Sequence, residues 1–315
     1  MRGGSRLLAA AAACLALAPV PALAASRPQP PPRLGPTVDH PPVDGFNSFD
    51  NGPRGGNRIA LTFDADMTPG MLQQLRSGAV RSWYNREVRE ILDAERVPAT
   101  LFLTGLWAAT YAEDARSLAE DPLFEVGSHT YDHAAFRVPC YGMAAARDRA
   151  AEILDAQGAI QAATGVTPTL VRFPGDCYDL SDVGLARQLG LLVISGDVRA
   201  GDGFNPSAAS IAAAVAGHLQ PGSIVVMHLH GGPNAPMTAP ALRTIVQVAR
   251  QRGLGFTTVS ELLGREPARP PVRPQQVLAP FRALSLEPPP VAADDVLAPY
   301  RALSLEPPRR HALLD

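Results

Sequence analysis

The stretch from Arg58 to Leu103 decides the fold: it begins with RIALTFDAD (residues 58–66) and ends with ATLFL (residues 99–103). Residues 58–63 and 99–103 are short, largely apolar runs with the length and composition of buried strands. Between them, residues 84–95 carry apolar side chains at helical spacing. A strand, a helix and a second strand in this order indicate a β-α-β unit, in which the two strands are parallel.

The same alternation continues along the chain. We predict further strands at residues 124–126, 169–171, 191–194, 223–227 and 256–259. We predict further helices at residues 143–163, 181–189, 207–219 and 240–250. Repeated β-α alternation indicates an α/β fold with a parallel sheet, and about seven strands favour closure into a barrel. In such barrels the reactive side chains lie at the C-terminal ends of the strands.

The N-terminal residues have the pattern of an export signal. Two arginines precede an apolar run at residues 7–20, and Ala22-Leu23-Ala24 follows it. This order is typical of a secretory signal peptide at residues 1–24. The run is shorter than the roughly 20 residues that a membrane helix needs, so we expect no transmembrane segment after cleavage. The alternative is a lipoprotein anchored through Cys14. We therefore expect an exported protein, either periplasmic or secreted.

Proline-rich flanks surround the predicted α/β domain, residues 58–264. Residues 25–57 are dense in Pro, Gly and Asn without apolar periodicity, and we interpret them as a linker. Residues 265–315 form a tail in which residues 277–289 recur nineteen residues later, at 296–308, with one substitution. We expect both flanks to be disordered. The repeats are either a duplication within a disordered tail or a short motif that binds a protein partner.

The composition excludes several classes of function. The formal net charge is only −2 and no basic block is present, so we expect no nucleic-acid partner. All 28 basic residues are arginine, which excludes Schiff-base and Walker-lysine chemistry. After signal cleavage Cys140 and Cys177 remain, and an even number in an oxidising compartment favours one disulfide. The alternative is two unpaired cysteines.

Candidate metal ligands follow two of the predicted strands. Asp64 and Asp66 end the first strand, and side chains two residues apart in an extended chain share a face. His129 and His133 follow the third strand, four residues apart, a spacing that brings two imidazoles to one side of a helical turn. Either pair alone is compatible with a turn or a surface position. Their joint occurrence at strand ends indicates a site.

Two later strand ends add further polar groups. Arg172 precedes a tight turn at Gly175, which offers backbone N–H groups. His228 follows the strand at residues 223–227, and His230 lies just beyond it. A guanidinium, backbone donors and more imidazoles at the same edge of the sheet strengthen the prediction of a catalytic site.

These motifs, in this order, resemble those of the polysaccharide deacetylase family, the NodB-homology domain of carbohydrate esterase family 4. The resemblance covers residues 58–264, and the motifs similar to the family's first, second, third and fifth are Thr62-Phe63-Asp64, His129-Thr130-Tyr131-Asp132-His133, Arg172-Phe173-Pro174 and Val226-Met227-His228. The resemblance implies a distorted (β/α)₇ barrel and a divalent metal, expected to be zinc, held by one Asp and two His. It also implies hydrolysis of N-acetyl, or O-acetyl, groups on a polysaccharide substrate.

The sequence departs from the family at two motifs. The family has two adjacent aspartates in its first motif, whereas Ala65 follows Asp64 here. We therefore assign the metal to Asp66, which shares a face with Asp64. The fourth motif lacks its tryptophan, and either Asp197 or Asp202 is expected to support the site.

The resemblance also implies a role for each residue. The expected metal ligands are Asp66, His129 and His133. Asp64 would take a proton from the attacking water, with Arg172 keeping this aspartate negatively charged. The metal and a backbone N–H near Gly175 would hold the oxyanion. His228 would protonate the departing amine, supported by the aspartate of the fourth motif.

Two other functions are compatible with the sequence. The altered first and fourth motifs fit a glycan-binding protein that has lost catalysis. Relatives of this family also hydrolyse small cyclic amides on the same fold. The choice among exported glycans depends on loops, in particular residues 70–84 and 139–143.

Overall fold

The computed structural model describes residues 48–271, which contain nine strands in one sheet. The strands are β1 (Ser48–Phe49), β2 (Arg58–Ala65), β3 (Ala99–Leu103), β4 (Phe124–Ser128), β5 (Leu170–Val171), β6 (Leu192–Ile194), β7 (Val198–Arg199), β8 (Ile224–His228) and β9 (Gly255–Thr257). Every pairing between these strands is parallel.

The sheet has the order β1-β6-β5-β4-β3-β2-β8-β7, and β9 pairs with the beginning of β2. It curls into a half-barrel with helices around it, so the expected α/β class and distorted barrel are confirmed. The seven predicted strands are all present. The other two strands, β1 and β7, have two residues each and lie at the two ends of the order.

Strand β2 is the central strand and positions the candidate site. All of its residues after Arg58 are buried. It pairs with β3 on one side and β8 on the other, in a register that sets Asp64 beside Phe102 and beside His228. The C-terminal ends of these three strands therefore lie together.

Nine α-helices connect or follow the strands in the described part of the chain. They are α1 (Pro69–Arg76), α2 (Arg86–Ala94), α3 (Gly105–Thr110), α4 (Ala112–Glu120), α5 (Arg149–Thr164), α6 (Leu180–Gln188), α7 (Ala208–His218), α8 (Thr238–Gln251) and α9 (Val259–Leu262). Val259, predicted as strand, begins α9 because the Thr258 hydroxyl accepts a hydrogen bond from the Glu261 N–H and caps the helix. Between residues 48 and 271 no helix combines the length and the apolar character needed to cross a membrane.

Helix α5 begins at Arg149, not at Met143 as the sequence pattern predicted. The Asp148 carboxylate accepts hydrogen bonds from two N–H groups of the first turn, both at 3.0 Å, and so defines the start of the helix. Upstream of this cap, Ala145 pairs with Ala135 in an isolated bridge. The preceding segment is therefore a loop with extended pairing.

The folded domain extends beyond both predicted boundaries. Ser48–Phe49 lies in the predicted linker but pairs with β6, and the Gly52 N–H donates to the Gly222 carbonyl at 2.8 Å. In the predicted tail, the Arg269 guanidinium donates to the Phe124 carbonyl at 2.6 Å. The predicted signal peptide, most of the predicted linker and both C-terminal repeats lie outside the described residues.

Candidate active site and metal centre

Asp64 and Asp66 stand at the end of β2, and both are buried. Oδ1 of Asp64 accepts a hydrogen bond from Arg172 Nη1 at 2.7 Å, and Oδ2 lies 3.9 Å from His129 Nε2. Asp66 has a different environment, because its nearest charged neighbours are imidazoles instead of a guanidinium. The two carboxylates share a face, as predicted, but they have different partners.

Arg172 is a buried guanidinium held in one orientation. Its Nε donates to the Ile194 carbonyl at 3.3 Å and its Nη2 to the Ser195 carbonyl at 2.8 Å. The guanidinium carbon lies 4.2 Å from the centre of the Phe102 ring, a cation–π contact. With those donors engaged, Nη1 points at Asp64 and forms a charge-assisted hydrogen bond.

Three predicted metal ligands lie together: one ligand atom from each of Asp66, His129 and His133 falls within 4.8 Å of the other two. His129 Nε2 is 3.5 Å from Asp66 Oδ1, and His133 Nε2 is 3.4 Å from Asp66 Oδ2. The other ring nitrogen of His129 lies 2.8 Å from the Arg172 carbonyl, which directs Nε2 into the cluster. Oδ1 of Asp66 is buried without a hydrogen-bond partner. Two imidazoles and a carboxylate with one unsatisfied oxygen form a donor set that fits a divalent metal.

His230, predicted only as a supporting residue, lies beside this cluster and contacts Asp66. Its Nδ1 is 3.4 Å from Asp66 Oδ2, and only 2% of the residue is exposed. Neither ring nitrogen has a hydrogen-bond partner. The ring lies beside the indole of Trp83, with the two centroids 6.2 Å apart. The sequence signal for this position is that His230 lies two residues after His228, a spacing that puts both side chains on one face of an extended chain.

The charge distribution of the cluster suits metal binding. Burial by itself raises the pKa of Asp66, but the surrounding histidines outweigh it and hold this pKa well below its ordinary value. Burial lowers the pKa of His133 to about 4, although Asp66 opposes the shift. Burial also lowers the pKa of His230. A carboxylate beside neutral imidazoles is the protonation state in which metal ligands bind.

His228 forms a separate pair with Asp202. His228 Nδ1 lies 2.8 Å from Oδ1 of Asp202, which is fully buried. Oδ2 of Asp202 accepts from the His228 N–H at 2.9 Å and from the Thr238 hydroxyl at 2.6 Å. Burial lowers the pKa of His228, but Asp202 outweighs it and raises this pKa to about 10. His228 is therefore an imidazolium at neutral pH. Sequence reasoning missed Thr238, which begins the distant helix α8.

Asp197, the other candidate for the fourth motif, does not contact His228. Its carboxylate accepts from Arg54 Nη2 at 2.7 Å, the Ser223 hydroxyl at 3.1 Å and the Ile224 N–H at 2.8 Å. These contacts attach it to the beginning of β8, whereas His228 is at the end of β8. The structure therefore assigns the support of His228 to Asp202.

The predicted turn at Gly175 lies beside a disulfide. Cys140 and Cys177 are joined, and their separation in sequence is 37 residues. Gly175 has a φ of +61°, and a Cβ there would lie 2.8 Å from the Cys140 sulfur and 2.6 Å from Met143 Cε. Glycine is required at this position by both its conformation and the close approach. The oxyanion role of its backbone stays a prediction.

The sequence is similar to a known protein family and to two curated proteins. The model of the polysaccharide deacetylase family matches residues 51–194. Among curated proteins, the uncharacterised protein YlxY of Bacillus subtilis (strain 168) is 26% identical over 183 residues, which are 57% of this chain and 53% of that protein. The peptidoglycan-N-acetylglucosamine deacetylase of Bacillus cereus is 23% identical over 217 residues, 67% of this chain and 70% of that protein. The chain thus spans about half the length of the first relative.

Solved structures show the same fold. A crystal structure of a peptidoglycan N-acetylglucosamine deacetylase aligns with a TM-score of 0.61 at 21% identity, covering 72% of this chain and 97% of that one. A CE4 family pseudoenzyme from Bacillus anthracis aligns with a TM-score of 0.55 at 23% identity, covering 69% of this chain and 68% of that one. At these identities the likeness establishes the architecture, and the chemistry depends on the residues of the site.

Proposed function

We infer that this chain, which belongs to the polysaccharide deacetylase family, is a metal-dependent hydrolase that removes acetyl groups from the nitrogen atoms of an exported glycan. The observation that carries the proposal is the joint presence of three units at one edge of the sheet: the Asp64–Arg172 pair, the metal cluster around Asp66, and the His228–Asp202 pair. A base, a metal-binding triad and an acid are the groups that amide hydrolysis requires.

Asp66, His129 and His133 would hold the metal, and their nitrogen and oxygen donors are a set that suits zinc. A bound divalent ion supplies Lewis-acid chemistry: it lowers the pKa of a water molecule toward about 7 and polarises the acetyl carbonyl. The remaining steps belong to the side chains of the protein.

Asp64 is the proposed general base. Its hydrogen bond from Arg172 fixes one carboxylate oxygen, and the other oxygen faces the cluster. It takes one proton from the attacking water as the water oxygen bonds to the carbonyl carbon. A buried and fixed carboxylate loses little orientational freedom in this step.

His228 is the proposed general acid. Because Asp202 holds it as an imidazolium, it carries a proton at neutral pH. It donates this proton to the nitrogen of the sugar as the C–N bond breaks, and the products are acetate and a free amine. Its side chain is 26% exposed, more than those of the other site histidines, as contact with an entering substrate requires.

Two exposed aromatic side chains support a glycan substrate. Tyr141 is 73% exposed and its ring lies next to Gly175, where a Cβ would be 3.1 Å from Tyr141 Cδ2. Phe204 is 77% exposed and follows Gly203, where a Cβ would lie 3.6 Å from His228 Cε1. Exposed rings beside a catalytic site provide apolar faces on which sugar rings can stack. An envelope location is supported by the export signal pattern and by the disulfide.

The test is acetate release from a panel of acetylated substrates, comprising peptidoglycan, chitooligosaccharides and acetylated xylan. We expect release from at least one glycan, loss of release with a chelator, and recovery on addition of zinc. The Asp64→Asn variant is the matched control, because it removes the base and keeps the metal ligands. Glycan binding without release of acetate from any substrate would instead identify a binding protein.

A further inference from the structure

We propose that Glu152 is a positioning residue of the metal centre: its carboxylate holds the loop between His129 and His133 in the shape that presents both imidazoles to one ion. The inference rests on the proposed function and deepens its metal site. Glu152 lies on α5, outside the sequence motifs described above and outside the ligand triad.

The Glu152 carboxylate is bound to the peptide backbone between the two histidines. Its Oε2 accepts a hydrogen bond from the Tyr131 N–H at 3.0 Å and a second from the Asp132 N–H at 3.3 Å. A carboxylate oxygen has the lone pairs to accept both. One side chain therefore fixes two consecutive peptide units of the loop.

The carbonyl groups of the same loop are bound by the first turn of α3. The N–H groups of Gly105 and Leu106 donate to the carbonyls of Thr130 and Tyr131, both at 2.9 Å. N–H groups in the first turn of a helix have no partner within the helix, so they are free to bind the loop. A Cβ at Gly105 would lie 2.5 Å from Tyr131 Cδ2, so the Tyr131 ring packs directly on α3. The loop is thus held by donors from α3 and by the acceptor Glu152 from α5.

The backbone of this loop has a conformation that requires such support. Thr130 and His133 both have a φ of +65°, in the left-handed region that residues other than glycine rarely adopt. Residues in such conformations persist where the surrounding structure fixes them. Without Glu152, the loop would lose two of its hydrogen bonds and could relax toward ordinary backbone angles. Because His133 is one of the two strained residues, that relaxation would move a metal ligand.

The position of Glu152 is set by the start of α5. Asp148 caps this helix, and the Glu152 N–H donates to the Asp148 carbonyl at 3.0 Å, which places Glu152 in the first turn. Helix α5 in turn packs closely against α3, since a Cβ at Gly105 would lie 3.1 Å from Ala156 Cα. The helix that carries the acceptor is therefore attached to the helix that carries the donors.

The test is the zinc affinity of the full chain, measured by competition with a chelator. Glu152→Ala should bind zinc about 10–100-fold more weakly than the wild-type protein, as expected when a group that orients metal ligands is lost. Glu152→Gln keeps an oxygen acceptor and should retain most of the wild-type affinity. Asp155→Ala is the matched control, because it removes an exposed carboxylate of the same helix and should leave the affinity unchanged. The visible spectrum of the Co²⁺-loaded protein, which reports the geometry of the ligands, should change in Glu152→Ala alone.

A second measurement uses the wild-type protein and so needs no variant to fold. The amides of Tyr131 and Asp132 should exchange slowly with solvent deuterium, with and without zinc, because both are hydrogen-bonded to Glu152. Rapid exchange of both amides would overturn the proposal. An unchanged zinc affinity in Glu152→Ala would also overturn it, as would an equal loss of affinity in Glu152→Gln or in Asp155→Ala.

Failure of the proposed function has a different signature. If the wild-type protein releases no acetate while the zinc affinities of the variants follow the expected order, the deacetylase is contradicted and the role of Glu152 stands. If the wild-type protein binds no zinc, both are contradicted.

Discussion

At the scale of single residues, the site depends on which neighbour each carboxylate has. Asp64 lies on β2 and Asp66 directly follows the strand, yet Asp64 is paired with Arg172 and Asp66 is surrounded by histidines. The carboxylate beside a fixed guanidinium is available to take a proton. The carboxylate among imidazoles is available to bind a cation. Ala65 lies between them, is buried and carries no polar group. It can therefore take neither role, and the two carboxylates on either side of it divide the roles between them.

The first prediction separates these two roles. Asp64→Asn should retain bound zinc and lower kcat by about 10²–10⁴-fold, because the metal ligands remain and the general base is lost. Asp66→Ala should lose the metal, because its carboxylate is the only oxygen donor in the triad. Elemental analysis and acetate release, measured on the same preparations, give both readings. If Asp64→Asn loses zinc while Asp66→Ala retains it, the assignments must be exchanged.

The second prediction concerns the pH dependence of the acid. Asp202 raises the pKa of His228 from 6.5 to about 10, so the imidazolium that donates the proton persists until the pH approaches that value. In Asp202→Asn the largest raising interaction is lost, while burial still lowers the pKa and Asp66 and Asp64 still raise it. The alkaline limb of the kcat profile should therefore move to lower pH. NMR titration of His228 should show the same shift without reference to activity.

Asp197→Asn is the matched control for this experiment. It removes an aspartate of the same segment that contacts Arg54 and Ser223 but not His228, so the pH profile should be unchanged. An equal shift in both variants would mean that the effect is general to the segment and that Asp202 does not act through the imidazole.

At the scale of elements, the sequence predicted the alternating order of strands and helices better than the residues at which each element begins and ends. The seven strands were predictable because each is a short apolar run, and the reactive residues followed from their position at strand ends. Helix α1 was missed although Thr68 and Pro69 carry a signal for a helix start, because its eight residues include only a single buried side chain, Met71. Helices α3 and α4 are short and were also missed. The start of α5 was predicted too early, because apolar residues precede the Asp148 cap and extend the apparent helical pattern.

Within the site, the limit of sequence reasoning was contact between distant elements. His129, His133 and Arg172 could be named because they follow strands in motifs with recognisable spacing. The choice of Asp202 over Asp197 could not be made, because it depends on which carboxylate the fold brings to His228. The burial of His230 depends in the same way on Trp83, which lies far away in sequence.

The third prediction concerns the disulfide, which links the loop after β4 to the turn after β5. Closing a loop with a sequence separation of 37 residues should stabilise the fold by about 2–4 kcal/mol, largely by restricting the unfolded chain. The double variant Cys140→Ser and Cys177→Ser should unfold at a correspondingly lower denaturant concentration. Thiol titration of the denatured, unreduced protein should find no free thiol at these positions. Two reactive thiols there would contradict the bridge.

At the scale of the whole molecule, the order of the strands converts residues distant in sequence into one surface. His129 and Arg172 follow β4 and β5, Asp64 and Asp66 stand at β2, and His228 ends β8. In the sheet these strands run β5-β4-β3-β2-β8, so the site occupies the middle of the C-terminal edge. The exposed aromatic residues lie at the two sides of this stretch. Tyr141 packs on the turn after β5, and Phe204 follows β7, which pairs with β8. This arrangement suits an extended substrate that crosses the site.

The last prediction tests that arrangement. Tyr141→Ala and Phe204→Ala should each weaken the use of a long acetylated glycan, because loss of one aromatic stacking contact costs about 0.5–1.5 kcal/mol, or roughly 2- to 12-fold in kcat/KM. The loss should be in KM, since neither ring contacts the pairs that transfer protons. A single acetylated sugar covers less of this edge than a polymer does, so its kcat/KM should change less. Leu154→Ala, which removes a 52% exposed side chain on α5, should affect neither substrate. Equal losses on the polymer and on the single sugar would mean that the aromatic residues act on the site itself, and the glycan would then have to be bound by another surface.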